Sequence, residues 1–344
     1  MRSTYCVRVM KAPQLGLLAI LMTLITAPAA VPAKLPIEGP MPSLARADAW
    51  LNSQPLSTQE LRGKVVLVDF WTYTCINWRR TLPYLRAWAD KYRDQGLVIV
   101  GVHTPEFSFE QNVDNVRRAA QEQDVDYPIA LDRHYAIWNA FDNHYWPAVY
   151  LVDARGHIRH HQFGEGNYEQ LERVIQQLLA ESGKTGFDRA LVTPDARGAE
   201  VAADWNNLGS PETYVGSRQA ERKVSAAPRG LKLNQWTMTG DWATRPEFAV
   251  LNEAGGSITY RFHARDVHLV MGPRARGGAV RFRVSIDGQP PQTSHGVDVD
   301  AEGHGTLDQP RMYHLIRQPG PIADRQLEIE FLDAGAEVFV FTFG

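Results

Sequence analysis

Gly63-Lys-Val-Val-Leu-Val-Asp69-Phe-Trp71-Thr-Tyr-Thr-Cys75-Ile-Asn-Trp78 is the stretch whose reading decides the fold. Val65 to Trp71 is an apolar run broken only by Asp69, the pattern of a strand buried on both faces of a parallel sheet. Beyond Cys75, the apolar residues Leu82, Leu85, Trp88, Ala89 and Tyr92 recur at helical spacing to about Asp94, with Gly96 at the end. A buried strand therefore passes into a helix and leaves Cys75 at the helix amino-terminus. Unpaired backbone N–H groups and the helix dipole favour negative charge there, and reactive cysteines so placed titrate at roughly 3.5 to 7.5, against about 8.5 when free. A buried inert cysteine is the alternative, since free Cys is among the most buried residue types. The junction favours a reactive thiolate.

Outward from this stretch, residues 34 to 47 form a Pro-rich irregular arm, and Leu97 to His103 is a second buried strand. Phe109 to Gln123 has helical spacing, Tyr127 to Leu131 is a short extended piece, and a third helical stretch runs from about His134 to Phe141. Trp146-Pro147 enters the strand Ala148 to Asp153, the turn Asp153-Ala-Arg-Gly156 leads into Ile158 to Phe163, and the two strands form a hairpin. Asn167 is positioned to cap a last helix that ends near Gly183. The order describes a layered α/β unit over residues 34–182.

Residues 183–212 lose this periodicity and are rich in Gly, Pro, Asp and Ala, the composition of an exposed linker. Over 213–344, the segments Ser257 to His263, Val267 to Met271, Val280 to Ile286, Met312 to Ile316, Gln326 to Phe331 and Val338 to Phe343 are short strands between Gly, Pro and Asp turns. They predict an all-β, jelly-roll-like antiparallel sandwich.

At the amino end, Arg2, Arg8 and Lys11 precede the apolar run Leu15 to Ile25 and the small residues Ala27 to Ala33, so residues 1–33 are expected to be a signal peptide cleaved after Ala30 or Ala33. Pro28 and Pro32 interrupt the run before a spanning length; membrane attachment follows only if the signal stays uncleaved. The protein is then periplasmic or secreted. Cys6 leaves with the signal, and the mature chain keeps one cysteine, which cannot form a disulfide within the chain. About 310 remaining residues fit two domains. A net charge of −3 with interspersed signs gives no footprint for nucleic acid.

The spacing of Val68-Asp69-Phe-Trp71 to Cys75 resembles the thioredoxin active-site strand and loop, and Pro147 matches that family's cis-proline. More closely, Gly63 to Asn77, Thr81-Leu-Pro-Tyr84, Gly101-Val-His-Thr-Pro-Glu-Phe107, Tyr145-Trp-Pro147 and Phe163-Gly-Glu-Gly166 resemble the carboxyl-terminal region of DipZ proteins, relatives of the TlpA and ResA redoxins. The resemblance continues from Pro211-Glu-Thr-Tyr214 to Phe341-Thr-Phe343-Gly344. It implies a thioredoxin fold, thiol–disulfide exchange outside the cytoplasm, and a carbohydrate-binding-module-like sandwich with a possible sugar ligand. The family's second cysteine corresponds here to Trp78. A CxxC enzyme attacks with one thiolate and releases the mixed disulfide with the other; Cys75 can do only the first half. Three readings stay open: a monothiol redoxin released by an external thiol, a one-cysteine peroxide-reducing enzyme suggested by Thr72 three residues before Cys75, and a binding or scaffold protein without turnover. The implied partner is a thiol or disulfide protein, or a low-molecular-weight thiol.

The resemblance also implies roles for the neighbours. Asp69 falls at the position of thioredoxin's buried proton acceptor, and Glu106 near an acid of TlpA-like redoxins, after the second strand where α/β sheets place their sites. Pro147, with Trp146 beside it, is expected to hold the substrate chain as an added strand. Trp71 and Trp78 are expected either to wall the thiol or to pack, with packing favoured for Trp71 and shielding of Cys75 for Trp78. Trp236, Trp242, Tyr260 and Tyr313 are either a sugar platform or core, with core favoured. His160 and His161 are strand neighbours pointing to opposite faces, and no zinc spacing exists, so neither metal nor cofactor is expected.

Overall fold

The computed structural model describes residues 34–219, 222–225, 230–274 and 278–344. The expected signal segment and Cys6 lie outside the described residues. Val65–Trp71, every residue of it buried, is the central strand β3 of the first sheet. It follows β1 (Gly39–Pro40) and β2 (Ala49–Leu51), and is followed by helix α1 (Ile76–Tyr92) and β4 (Leu97–His103). A short 3-10 turn, Arg93–Gln95, and Gly96 at φ 98° end the helix. The expected second helix is divided at Asn112. Its side-chain oxygen accepts from the N–H groups of Asp114 (2.9 Å) and Asn115 (3.2 Å), which caps α2 (Val113–Glu122) and leaves Ser108–Gln111 as a separate 3-10 turn.

β5 (Ile129–Leu131), α3 (Ala136–Ala140), β6 (Ala148–Val152), β7 (His157–Phe163) and α4 (Tyr168–Glu181) complete the layer. The sheet has seven strands in the order β1-β7-β6-β3-β4-β5-β2. β3, β4 and β5 run parallel, whereas β6 is antiparallel to β3 and to β7. Asn167 stands before α4 but does not cap it: its backbone is left-handed (φ 51°) and its amide donates to Gln162 at 3.0 Å instead. Gly101, paired with Asp69 across β3 and β4, is required by close approach, because a Cβ there would lie 2.8 Å from the Trp71 indole nitrogen.

The remaining strands are β8 (Thr213–Tyr214), β9 (Trp236–Thr239), β10 (Trp242–Thr244), β11 (Ala249–Leu251), β12 (Ser257–Phe262), β13 (Asp266–Pro273), β14 (Val280–Ile286), β15 (His304–Leu307), β16 (Arg311–Arg317), β17 (Arg325–Phe331) and β18 (Ala336–Phe343). They form two antiparallel sheets, β10-β11-β18-β13-β16 with β8 added on β18, and β15-β14-β17-β12-β9. Alternation along β14, buried at Val280, Phe282, Val284 and Ile286, aims one face of its sheet at the core. Trp236, Tyr260 and Tyr313 are fully enclosed in that core, so three of the four residues weighed as a sugar platform are packing groups, and Trp242 packs against the same cluster.

The outer face of the first of these sheets packs on the thioredoxin layer. Val270, Met312, Phe339 and Val340 meet Ile76 and Phe107 in one buried cluster, and the Phe109 and Phe339 rings cross edge to face at 4.8 Å. Arg80 of α1 reaches across, pairing with Glu165 at 2.9 Å and donating to the Phe343 carbonyl at 3.1 Å. The segment 183–212, expected as an exposed linker, is tied down in part: Ala199 is buried, and Glu200 pairs with Arg86 of α1 at 2.6 Å. Among the described residues, no helix is long and apolar enough to cross a membrane.

Candidate active site

Cys75 occupies the amino-terminal cap of α1, with φ −72° and ψ 116°. The strand-to-helix passage therefore puts the thiol at the carboxyl edge of the sheet. It is half-buried, and its S–H donates to the Trp146 carbonyl at 3.9 Å. The peptide between Trp146 and Pro147 is cis. The Trp146 indole N–H donates to the Thr104 carbonyl at 3.0 Å, and its ring lies 4.3 Å from that of Trp138. Trp146 is thus held from two sides while its carbonyl faces the thiol.

The ionisation of Cys75 departs from the expectation for a helix amino-terminus. Burial pushes the thiol well up; the backbone N–H groups of Trp78 and Asn77 pull it down, and the charges of Glu106 and Glu212 push it up again. Desolvation and two like charges outweigh the helix end. Glu106, half-buried, is itself held at about 8, first by burial and then by the charges of Glu212 and Glu110, against a hydrogen bond from Tyr214. The Tyr214 hydroxyl joins the two acids, 2.5 Å from Glu106 and 3.3 Å from Glu212. Glu110, fully buried, accepts from the backbone N–H of Glu106 (2.6 Å) and Phe107 (2.9 Å) and from the Thr74 hydroxyl (2.6 Å). It fixes the loop carrying Glu106 to the loop carrying Cys75.

Asp69, Trp71 and Trp78 form a separate group beneath. The Trp78 indole N–H donates to Asp69 at 2.8 Å, and the ring stacks on Trp71 with centroids 4.2 Å apart and planes at 25°. Both tryptophans are wholly buried, which agrees with packing for Trp71 and leaves no exposed surface of Trp78 for a substrate in this structure. Trp78 points inward because it lies on the face of α1 that also buries Leu82 and Leu85. Burial raises Asp69 to about 7, against the Trp78 hydrogen bond, and its second oxygen has no hydrogen-bond partner among the described residues. Thr72 is equally enclosed.

The structure thus brings Cys75, Trp146, Pro147 and Glu106 together at the sheet edge, with Asp69, Trp71 and Trp78 behind them. Sequence reasoning missed Glu110, Glu212 and Tyr214. The segment Pro211-Glu-Thr-Tyr214 carried the family resemblance, but no local pattern announces that it folds back onto a loop about 100 residues earlier. A cleft of about 210 Å³ opens at Glu106 and Trp146, lined also by Phe107, Tyr214, Arg218 and Glu247. His103 lies inside the sheet edge, enclosed and pulled down to about 3 by burial. Among the described residues no three His, Cys, Asp or Glu side chains are grouped to hold a metal ion.

Residues 37–161 match the AhpC/TSA family, and residues 210–344 match the thioredoxin-like C-terminal domain. Protein DipZ of Mycobacterium tuberculosis is 35% identical over 316 residues, which cover 89% of this chain and 43% of that protein. This chain thus spans less than half the length of that curated relative. The thiol-disulfide oxidoreductase YkuV of Bacillus subtilis is 35% identical over 143 residues, covering 42% of this chain and 96% of YkuV. A solution structure of a thioredoxin-like protein in the oxidized form superimposes with a TM-score of 0.39 at 35% identity, over 42% of this chain and 96% of that one.

Proposed function

The chain belongs to the thioredoxin-like thiol–disulfide oxidoreductase family, and from that premise we propose that it carries out exchange outside the cytoplasm through Cys75 alone, as a monothiol redoxin. The observation that carries this is the state of Trp78. At the position of the family's second cysteine, a fully buried indole is hydrogen-bonded to Asp69 and stacked on Trp71. That place is filled, and Cys75 is the free cysteine of the described residues.

In the proposed reaction the Cys75 sulfur attacks one sulfur of a substrate disulfide. The substrate S–S bond breaks, a Cys75–S–S–substrate bond forms, and the departing thiolate takes up the proton that Cys75 loses. An external thiol then attacks the mixed disulfide, forming a new disulfide with the substrate sulfur and returning Cys75 to the thiol. Glu106, held near 8 and so mostly protonated at neutral pH, is suited to give its proton to the leaving sulfur and to recover one from Cys75. The carbonyl of Trp146 and the cis-Pro147 edge support docking of an extended substrate chain beside Cys75.

Oxidised glutathione and mass spectrometry of the intact protein test this. Wild-type protein should gain one mixed disulfide at Cys75, which excess reduced thiol removes, and Cys75→Ser should gain none. Absence of any adduct after prolonged incubation, in protein that dithiothreitol has first reduced, would overturn the proposal.

A further inference from the structure

A second, larger cleft of about 590 Å³ lies where α1 and α2 face the turn at Gly198–Glu200 and the start of β16. Its size is that of a small-molecule site. Five arginines line it, Arg79, Arg86, Arg118, Arg197 and Arg311, against four carboxylates. Four of the five have an acidic partner: Arg86 with Glu200 at 2.6 Å, Arg118 with Glu122 at 3.9 Å, Arg311 with Asp298 at 2.8 Å, and Arg197 with Asp195. Arg79 has neither an ion pair nor a side-chain hydrogen bond among the described residues, and its Nε is enclosed without a partner. Burial opposes its charge, yet a guanidinium does not shed its proton under ordinary conditions. Glu200 and Asp298 favour that charge from a distance without pairing with it, and an anion brought into the cleft would offset the remaining cost of its partial desolvation.

We propose that this cleft binds a small molecule bearing an oxyanion, a carboxylate or a phosphate, with Arg79 as its principal contact. The planar fork of Arg79 suits both groups, which share the same oxygen geometry. The neighbouring paired arginines supply a positive surround and the four lining carboxylates limit it, so that one anionic group is accommodated. The cleft also borders the redox loop. The Arg79 N–H donates to the Cys75 carbonyl at 3.0 Å, and Tyr73, two residues before Cys75, is part of the wall. Four residues of helix separate Cys75 from Arg79, about 6 Å along the axis. An occupant therefore rests on the backbone that carries the thiol without needing the thiol itself.

Titration calorimetry of the full chain with inorganic phosphate and with succinate, at ionic strength matched with sodium chloride, tests the site. Saturable binding is expected for at least one. Preference for phosphate identifies a phosphate ester as the natural class, and preference for succinate a carboxylate. Arg79→Met should weaken binding by on the order of tenfold or more, the loss expected for a hydrogen bond between charged groups. Arg117→Met should leave it unchanged, since that exposed residue pairs with Asp114 outside the cleft. Cys75→Ser should bind as wild type does, which separates this site from the thiol chemistry. If Arg79→Met does not fold, Arg118→Met decides, with a weaker affinity expected. No saturable binding of either probe, or equal affinity in wild type and the cleft variants, would overturn the proposal.

Discussion

Replacing Asp69 by Asn should remove the pH dependence of stability that this one carboxyl imposes. Asp69 is fully buried and held at about 7 rather than 3.8. In the unfolded chain it is ionised above about pH 4, whereas the folded protein keeps its proton to about pH 7. Between those values the native state binds one more proton than the unfolded state, so stability falls as pH rises, by about 1.4 kcal/mol per unit. The whole rise of about three units amounts to about 4 kcal/mol, and the loss levels off above pH 7. Asn removes this dependence but leaves an amide with no partner for the N–H₂ group, which costs about 1–3 kcal/mol at every pH. Asp69→Asn should thus be less stable than wild type at pH 4 and more stable at pH 8. Urea unfolding of both proteins at pH 5, 6, 7 and 8 gives the difference directly, and groups common to both cancel. The difference should change by about 2 kcal/mol from pH 5 to pH 7, since at pH 7 the group is already half ionised. Parallel stability curves would refute the reasoning, because they would mean that Asp69 ionises in the folded protein as it does in the unfolded one.

Three further outcomes follow from the same geometry. Trp78→Cys places a second cysteine three residues after Cys75 but removes a buried indole and the donor to Asp69, so thermal and urea unfolding should show a loss of about 3–5 kcal/mol, and thiol titration after oxidation should find a disulfide between Cys75 and the introduced cysteine. Arg80→Met strips the partner from Glu165, whose side chain is only 7% exposed; the expected loss is about 3–5 kcal/mol, with partial recovery in Arg80→Met combined with Glu165→Gln. Trypsin should also cut 183–212 faster in Arg80→Met than in wild type, since Arg80 ties α1 to the end of β18.

The fold was legible where a segment is buried on both faces. Val65–Trp71 and Leu97–His103 have the bounds their apolar runs predict, and Val280–Ile286 follows from strict alternation. Short edge strands such as Trp242–Thr244 and His304–Leu307 carry no such pattern, because half of each faces solvent and pairing alone defines them. Cys75 was legible from the junction of two periodicities. Trp78 was not, since its direction depends on which face of α1 meets the sheet; it lies in the core cluster against which Cys75 packs. The lowered thiol pKa expected from the helix end failed for a related reason. A helix terminus is a local property, whereas the charges of Glu106 and Glu212 reach the thiol through tertiary folding.

That last point brings groups from the start of the sandwich to bear on the ionisation of the thiol, and it can be tested on Cys75 itself. Tyr214 and Glu212 come from the segment that begins the second domain, yet the Tyr214 hydroxyl bonds Glu106 and the Glu212 charge bears on the Cys75 thiol. Because Glu106 titrates at about 8, it is already charged at the higher pH where the thiol loses its proton, and it opposes that loss. Glu106→Gln should therefore lower the pH midpoint of Cys75 alkylation by on the order of one unit, the size of effect a nearby like charge produces. Glu212→Gln should lower it by less, since its contribution ranks below that of Glu106. The double variant should lower it furthest. Tyr214→Phe removes the hydrogen bond that favours ionised Glu106, so the pKa of Glu106 itself should rise, readable by NMR titration of its carboxyl carbon. Iodoacetamide rates at pH 9 to 11 read the shift, because below the midpoint the thiolate fraction and the rate rise about tenfold for each unit by which the midpoint falls. An unchanged midpoint in Glu106→Gln would leave desolvation as the sole cause of the raised thiol, and a midpoint that moved upward would mean that Glu106 stabilises the thiolate rather than opposing it.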